Sequence, residues 1–156
     1  MKYQNPNRQL KIRIGFYALA SVLTAGFIFY NSIQSPAESG EMSGRLAALL
    51  QNYLDPNGVI SPETFHGLIR KAAHFLEFAL LGLFVGGFSG NLGKLRLRRY
   101  VALPMLLTLS TAVADELLQL FTQRGSSVAD VALDYAGALF GLGFMALLSL
   151  LFRRRH

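Results

Sequence analysis

Three short groups hold most of the chemistry in this 156-residue chain: Arg70, Lys71, His74 and Glu77; Asp115, Glu116 and Gln119; and Arg124, Asp130 and Asp134. An imidazole beside carboxylates is the minimal apparatus for general acid–base work, with His74 as base and Glu77 or Asp115 orienting it. The same nitrogen and oxygen donors, from His74, Glu77, Asp115 and Glu116, can also ligate a metal. Arg70, Lys71 and Arg124 suit a phosphate, through charge-assisted hydrogen bonds. Helical spacing gathers each group on one side of its segment. Arg70, His74 and Glu77 stand at i, i+4 and i+7. Thr108, Thr111, Ala112, Asp115 and Gln119 make one seam, with Glu116 turned about 100° from Asp115 toward a second neighbour. Asp130, Asp134, Gly137 and Gly141 make a third.

The elements that must position these groups are strongly apolar. Apolar residues make up 52% of the chain and the mean hydropathy is +0.36, which predicts a polytopic membrane protein. Four spans are expected, at about 14–31, 67–88, 101–121 and 129–152, each long enough for a ~30 Å hydrocarbon core. The first run is too long for the apolar part of a signal peptide. It lacks a convincing small-x-small site after it, so it is read as a retained span. Between the first two spans, Ser43 is predicted to cap a short amphipathic helix. Leu46, Leu49, Leu50, Tyr53 and Leu54 share one face of it, and it would lie on the membrane surface. Asp55-Pro56-Asn57-Gly58 reads as a turn and Ser61-Pro62 as a helix start. Gly82, Gly86, Gly87 and Gly90, and the Gly137-x-x-x-Gly141 spacing, predict close helix packing. Ser126-Ser127 is expected to cap the last helix. The expected fold is therefore all-α, one integral membrane domain over 1–156: a four-helix transmembrane bundle with a short outer amphipathic helix.

There are no cysteines, which excludes disulfides, thiolate metal sites and cysteine nucleophiles. The net charge of +6 is clustered in a way that sets topology and offers nothing to nucleic acid. All but four of the 15 Lys and Arg residues lie in the N-terminal tail, the 94–99 loop and the C-terminal Arg153-Arg154-Arg155. Arg45, Arg70, Lys71 and Arg124 lie on the other side. The positive-inside rule then predicts both termini in the cytoplasm. On that topology His74 lies roughly 10 Å below Gly67, Asp115 about 9 Å below Phe121 and Asp134 about 7 Å below Ala129, at 1.5 Å per residue. Three helices thus carry ionisable groups into one slab of the outer leaflet. An intramembrane charge costs on the order of 3 kcal/mol, so such groups face the bundle interior and pair. The pairing is unequal: Arg70, Lys71 and Arg124 face Glu77, Asp115, Glu116, Asp130 and Asp134. Protonated carboxylates, a charged His74, a metal or a cationic ligand group can each make up the difference.

At these residues the chain resembles the VanZ-like family of small bacterial membrane proteins. The matching pieces are Arg70-Lys71-x-x-His74-Phe75-x-Glu77-Phe78 and Asp115-Glu116-x-x-Gln119-x-Phe121, the latter followed by Arg124, Ser127 and Asp130. Gly137-Ala138, Gly141 and Asn31-Ser32-x-Gln34-x-Pro36 also match, and the likeness covers roughly residues 16 to 150. The pattern commonly has Asn where this chain has Asp134, which speaks against a role that needs a neutral amide there. The resemblance implies a place in the cell envelope. The founding member is associated with low-level resistance to the lipoglycopeptide teicoplanin, an activity the wider family does not share by default.

Three functions remain open on these residues. In the first, Arg70, Lys71, His74, Glu77, Asp115, Glu116, Gln119, Arg124, Asp130 and Asp134 line an outward-facing pocket in the cytoplasmic membrane. That pocket would bind a membrane lipid, a lipid-linked envelope precursor or a lipidated antibiotic. In the second, the pocket is the site of a membrane enzyme. Against it, only His74 offers an imidazole inside the bundle, and no H-E-x-x-H or G-x-S-x-G pattern occurs. In the third, the residues are a buried network that sets helix register. The first is preferred. It assigns no catalytic residue, no metal and no cofactor, and it sets no oligomeric state.

Overall fold

A computed structural model describes residues 6–34, 36–96, 100–122, 125 and 127–153. Lys2, Arg98, Arg99, Arg154 and Arg155, which enter the topology argument, lie outside these residues, as do Arg124 and Ser126. Among the described residues all regular structure is helical: α1 (Pro6–Ile33), α2 (Pro36–Leu54), α3 (Pro62–Arg96), α4 (Ala102–Phe121) and α5 (Val128–Arg153). Four of the five, all but α2, are long and apolar enough to cross a membrane. At 1.5 Å per residue the 20-residue α4 measures about 30 Å, the thickness of a bilayer core.

The helix starts follow local chemistry. At α3, Pro62 occupies the first helical position, where its missing N–H is no loss. Ser61 Oγ accepts from the Thr64 amide at 3.3 Å. The preceding turn closes on Asp55, whose carboxylate accepts from the amides of Val59 (2.9 Å) and Ile60 (2.7 Å). Gly58 supplies the left-handed residue there, at φ +63°. At α5, Ser127 is the cap, its Oγ accepting from the Asp130 amide at 3.1 Å. α4 tolerates Pro104 because its first turn has no intrahelical acceptor to lose.

One element, α2, differs from the sequence reading in where it starts. α2 starts at Pro36 and not at Ser43; a proline fixed near helical φ sets its first turn. Its leucine stripe turns outward: among the described side chains of α2 Ala47 is buried, whereas Leu46, Leu49, Tyr53 and Leu54 are exposed. α2 rests on α3 and offers these large side chains to the surroundings.

α3 is the hub, in contact with α1, α2, α4 and α5. Its most extensive partner is α5, and the two run parallel. Gly137 backs onto the Phe75 carbonyl, Gly141 onto the Ala79 carbonyl, and Met145 lies by Gly86. Gly82 meets the Ala138 carbonyl in the same seam, so a Cβ at Gly82, Gly137 or Gly141 would collide with backbone. These small residues let two main chains approach to contact, the usual basis of helix association in lipid. Phe75 and Phe140 close one flank with ring centroids 5.9 Å apart. α1 runs antiparallel to α3, its Tyr17 ring lying against Gly87 near one end and Asn31 reaching Glu77 near the other.

The bundle is apolar outside and mixed within. Its core is Ile28, Phe78, Leu81, Val85, Ala112 and Ala138, whereas Phe16, Leu106, Leu117, Phe140 and Leu150 are exposed. The residues α4 buries are Pro104, Thr108, Ala112, Asp115, Glu116 and Gln119. In water that pattern would be unstable; in lipid it is the expected one, because polar groups are the ones that must be withdrawn. Two of the hydroxyls inside the apolar helices are satisfied by their own helix. Thr24 donates to the Ala20 carbonyl and Thr108 to that of Pro104, both at 2.9 Å.

Candidate functional site

The polar residues meet where the N-terminal part of α3, the C-terminal part of α4 and the start of α5 come together. A cleft of about 180 Å³ opens there, lined by Gly67, Arg70, Lys71, His74, Glu116, Gln119, Asp130, Leu133 and Asp134. Arg70 and Lys71 are exposed at its rim. Lys71 Nζ reaches Asp130 Oδ1 at 3.4 Å across the mouth. Below, His74 is 16% exposed, and its Nδ1 lies 3.9 Å from both Asp115 Oδ2 and Asp134 Oδ1. Both separations are those of ion pairs and longer than hydrogen bonds.

Asp115 is fully buried and held from two sides. Ser32 Oγ of α1 donates to its Oδ1, and Gln119 Nε2, one turn on, donates to its Oδ2 at 2.8 Å. Thr122 Oγ1 bonds the Ser32 carbonyl at 3.2 Å, tying the same ends of α1 and α4. Glu116, at about 100° around the helix, takes a different partner: its Oε2 accepts the Ser127 amide at 3.2 Å. It thereby fastens the α4–α5 connection and satisfies one of the open donors at the start of α5.

Of the ten residues singled out in the sequence, seven line the cleft: Arg70, Lys71, His74, Glu116, Gln119, Asp130 and Asp134. Asp115 forms the floor beside His74. Glu77 does not line it; it turns to α1, where Asn31 Nδ2 donates to its Oε1 at 3.0 Å. Arg124 lies outside the described residues. The site also includes a helix the sequence reading left out. α1 contributes Ser32 to Asp115 and Asn31 to Glu77. The available signal was the polar pair Asn31-Ser32 at the end of an apolar run, which was noted only as part of a resemblance.

The electrostatics are lopsided. Asp115, Glu116 and Asp134 are buried, while the described cations of the cleft, Arg70 and Lys71, are exposed. A site of this kind attracts positive charge at its floor and negative charge at its rim.

No curated protein and no solved structure matches the chain. A family model described as VanZ/LLP1 matches residues 16–151, a stretch that takes in most of α1, all of α2, α3 and α4, and nearly the whole of α5. Every residue of the cleft falls within it. With its four membrane-length helices, the chain is a membrane protein of the VanZ/LLP1 family.

Proposed function

We propose that this protein sits in the bacterial cytoplasmic membrane with both termini inside, and binds the polar headgroup of a lipid-linked or lipidated envelope ligand from the outer face. The observation that carries this reading is the cleft, with two cationic side chains at its rim above a buried acidic floor. An ionisable group inside a span is costly to keep and is most simply explained by use. Size narrows the ligand. At about 180 Å³ the cleft is smaller than the roughly 300–1,000 Å³ of a site for a whole drug-sized molecule. It suits a headgroup whose chains remain in the bilayer. Arg70 and Lys71 meet phosphate oxygens by charge-assisted bonds, and Asp130 holds Lys71 in place. The Ser32–Asp115–Gln119 chain supports the alternative of a structural network for that one part of the site. An enzyme acting on a membrane lipid remains the other alternative, and would need His74 as its base.

Native mass spectrometry in mild detergent tests the reading, with wild type beside Arg70→Ala/Lys71→Ala. The expected result is a phospholipid or lipid-linked precursor retained by wild type and lost from the variant. Equal retention by both, or none by either, removes the headgroup site. Orientation is tested separately. Because the chain has no cysteine, Asn57→Cys and Lys94→Cys give single labels. An impermeant maleimide on intact cells should modify the first and spare the second; the reverse pattern overturns the topology.

A further inference from the structure

We propose that His74, Asp115 and Asp134 form a binding site for one divalent first-row transition-metal ion at the floor of the cleft. The inference does not rest on headgroup binding, which depends on the rim cations; this one depends on three withdrawn side chains.

Geometry is the first observation. One donor atom from each of the three residues lies within 4.8 Å of the others, and the two edges from His74 Nδ1 are 3.9 Å. Donors at ~2.1 Å around a tetrahedral ion stand about 3.4 Å apart. An ion would thus draw these two edges in by roughly half an ångström, and the Asp115–Asp134 edge, which is no longer than 4.8 Å, by up to about 1.4 Å, through side-chain rotation. The three residues come from α3, α4 and α5, so one ion would tie three helices.

The second observation is an unsatisfied group. Asp134 is 1% exposed, and its Oδ2 has no hydrogen-bond partner among the described residues. A buried acceptor left unmade costs about 1–3 kcal/mol, and more if charged, so such an atom at a cleft floor calls for a cation or a donor. Asp115 is prepared for the same task. Ser32 and Gln119 fix its carboxylate, as the outer partners of metal-binding carboxylates do, and each carboxylate oxygen keeps a lone pair for an ion.

Charge and donor type name the ion. Two carboxylates and a neutral imidazole around a divalent cation sum to zero, which neutralises two of the three buried acids, Asp115 and Asp134. One nitrogen and two oxygens select zinc, manganese or ferrous iron; calcium and magnesium favour oxygen alone, and cuprous ion favours sulfur. Three protein donors leave a coordination position open, as in zinc sites that bind substrate or water. Here that position would face the cleft. The donor set differs from the one weighed on sequence. Glu77 bonds Asn31 and Glu116 bonds the Ser127 amide, and Asp134 takes their place. The reading preferred on sequence assigned no metal; this proposal adds one.

The test uses the full chain in mild detergent, with any affinity tag removed, stripped with chelator and reloaded with Zn²⁺ or Co²⁺. Wild type should retain about one equivalent of Zn²⁺ after desalting, and Co²⁺ should give visible d–d bands. His74→Ala and Asp134→Asn should each weaken binding at least ~10-fold. Gln119→Ala, which only frees the Asp115 carboxylate, should weaken it roughly 10-fold, and Gly90→Ala, whose added Cβ meets nothing within 4 Å, should leave it unchanged. Substoichiometric retention by wild type overturns the site, as does retention in His74→Ala and Asp134→Asn equal to wild type. Should either variant fail to fold, X-ray absorption on the Zn²⁺-loaded wild type decides. One imidazole among the donors supports the site, and an all-oxygen shell overturns it. Loss of the lipid signal in Arg70→Ala/Lys71→Ala with zinc retained would leave this site standing, and the reverse would leave the headgroup site standing.

Discussion

The α3–α5 seam and the α1–α4 contact join helices by opposite means. Along α3–α5 the joint is backbone on backbone: Gly137 on the Phe75 carbonyl, Gly141 on that of Ala79, Gly82 on that of Ala138. Between α1 and α4 it is side-chain hydrogen bonding, Ser32 to Asp115 and Thr122 to the Ser32 carbonyl. The first fixes a distance and tolerates no atom more. The second fixes an orientation and tolerates no donor less. The cleft needs both. Phe75 follows His74 directly, and Gly137 lies one turn beyond Asp134, so the glycine contact sets how far the imidazole stands from that carboxylate. Asp115 is then turned toward the pair by bonds from α1 and from its own helix.

The largest effect should come from filling the seam. Gly141→Leu places a side chain where Ala79 and Leu83 present main-chain atoms, neither of which can swing aside. Overpacking of this kind costs about 1–3 kcal/mol when neighbours yield and more when they cannot, so the α3–α5 docking should fail. Size-exclusion chromatography after a heating series in detergent reads this as aggregation at much lower temperature. Gly90→Ala is the contrast. Nothing lies within 4 Å of its added Cβ, so it should match or slightly exceed wild type, alanine gaining roughly 0.5–1 kcal/mol over glycine inside a helix. Equal stability of Gly141→Leu and Gly90→Ala would show that the backbone seam is not what joins these helices.

Asp115→Ala comes next. It leaves the Ser32 hydroxyl and the Gln119 amide facing each other in a buried place without their acceptor, at about 1–3 kcal/mol for a stranded polar group. Asp115→Asn keeps one carbonyl oxygen for them and should lose less. Melting temperatures in the same detergent separate the two. An alanine variant as stable as the asparagine variant would mean the hydrogen bonds from α1 do not hold this end together.

The same contrast explains what could be read from the sequence. Four long apolar runs, and the withdrawal of Asp115, Glu116 and Asp134 into the bundle, follow from the cost of charge in lipid, which acts residue by residue and leaves a periodic trace. Close helix packing was implicit in the glycine spacing, and the parallel course of α3 and α5 in their places as the second and fourth of four spans. The partners of Glu77 and Asp115 were not legible. A helical wheel gives a direction to within a wide sector, so Glu77, seven residues from Arg70, was grouped with the cleft, although it turns to Asn31. Ser32 stands in no repeat, and its bond to Asp115 spans 83 residues of sequence. α2 was read as starting at Ser43, a good cap by residue type, because the amphipathic pattern is visible only from there; Pro36 sets the start observed.

Outside the bundle the effects should shrink to those of single caps. Ser61→Ala removes the side-chain acceptor of the Thr64 amide at the start of α3, worth roughly 0.5–2 kcal/mol. Because α3 touches every other helix, the loss should appear in the global melting temperature and not as local fraying. A change confined to amide exchange at residues 62–65 would instead show that the first turn of α3 is uncoupled from the bundle.

The smallest effect should be a pH dependence in the 55–60 turn. The amides of Ile60 and Val59 donate to the Asp55 carboxylate and hold its pKa below the usual 3.8. A depressed pKa means the folded turn favours the ionised form. Its contribution is fully present above the unfolded value and is lost as pH falls through the folded one. Amide exchange at Val59 and Ile60, corrected for intrinsic rate, should therefore stay slow near neutrality and accelerate only below about pH 4. In Asp55→Asn the protection should be weaker throughout, with no acid step, since an amide offers a single acceptor oxygen and no charge. Gly58, at φ +63°, would keep the turn's path in both proteins. An acid step that survives in Asp55→Asn would assign the titration to another group and leave the Asp55 bonds as spectators of a turn held by its glycine.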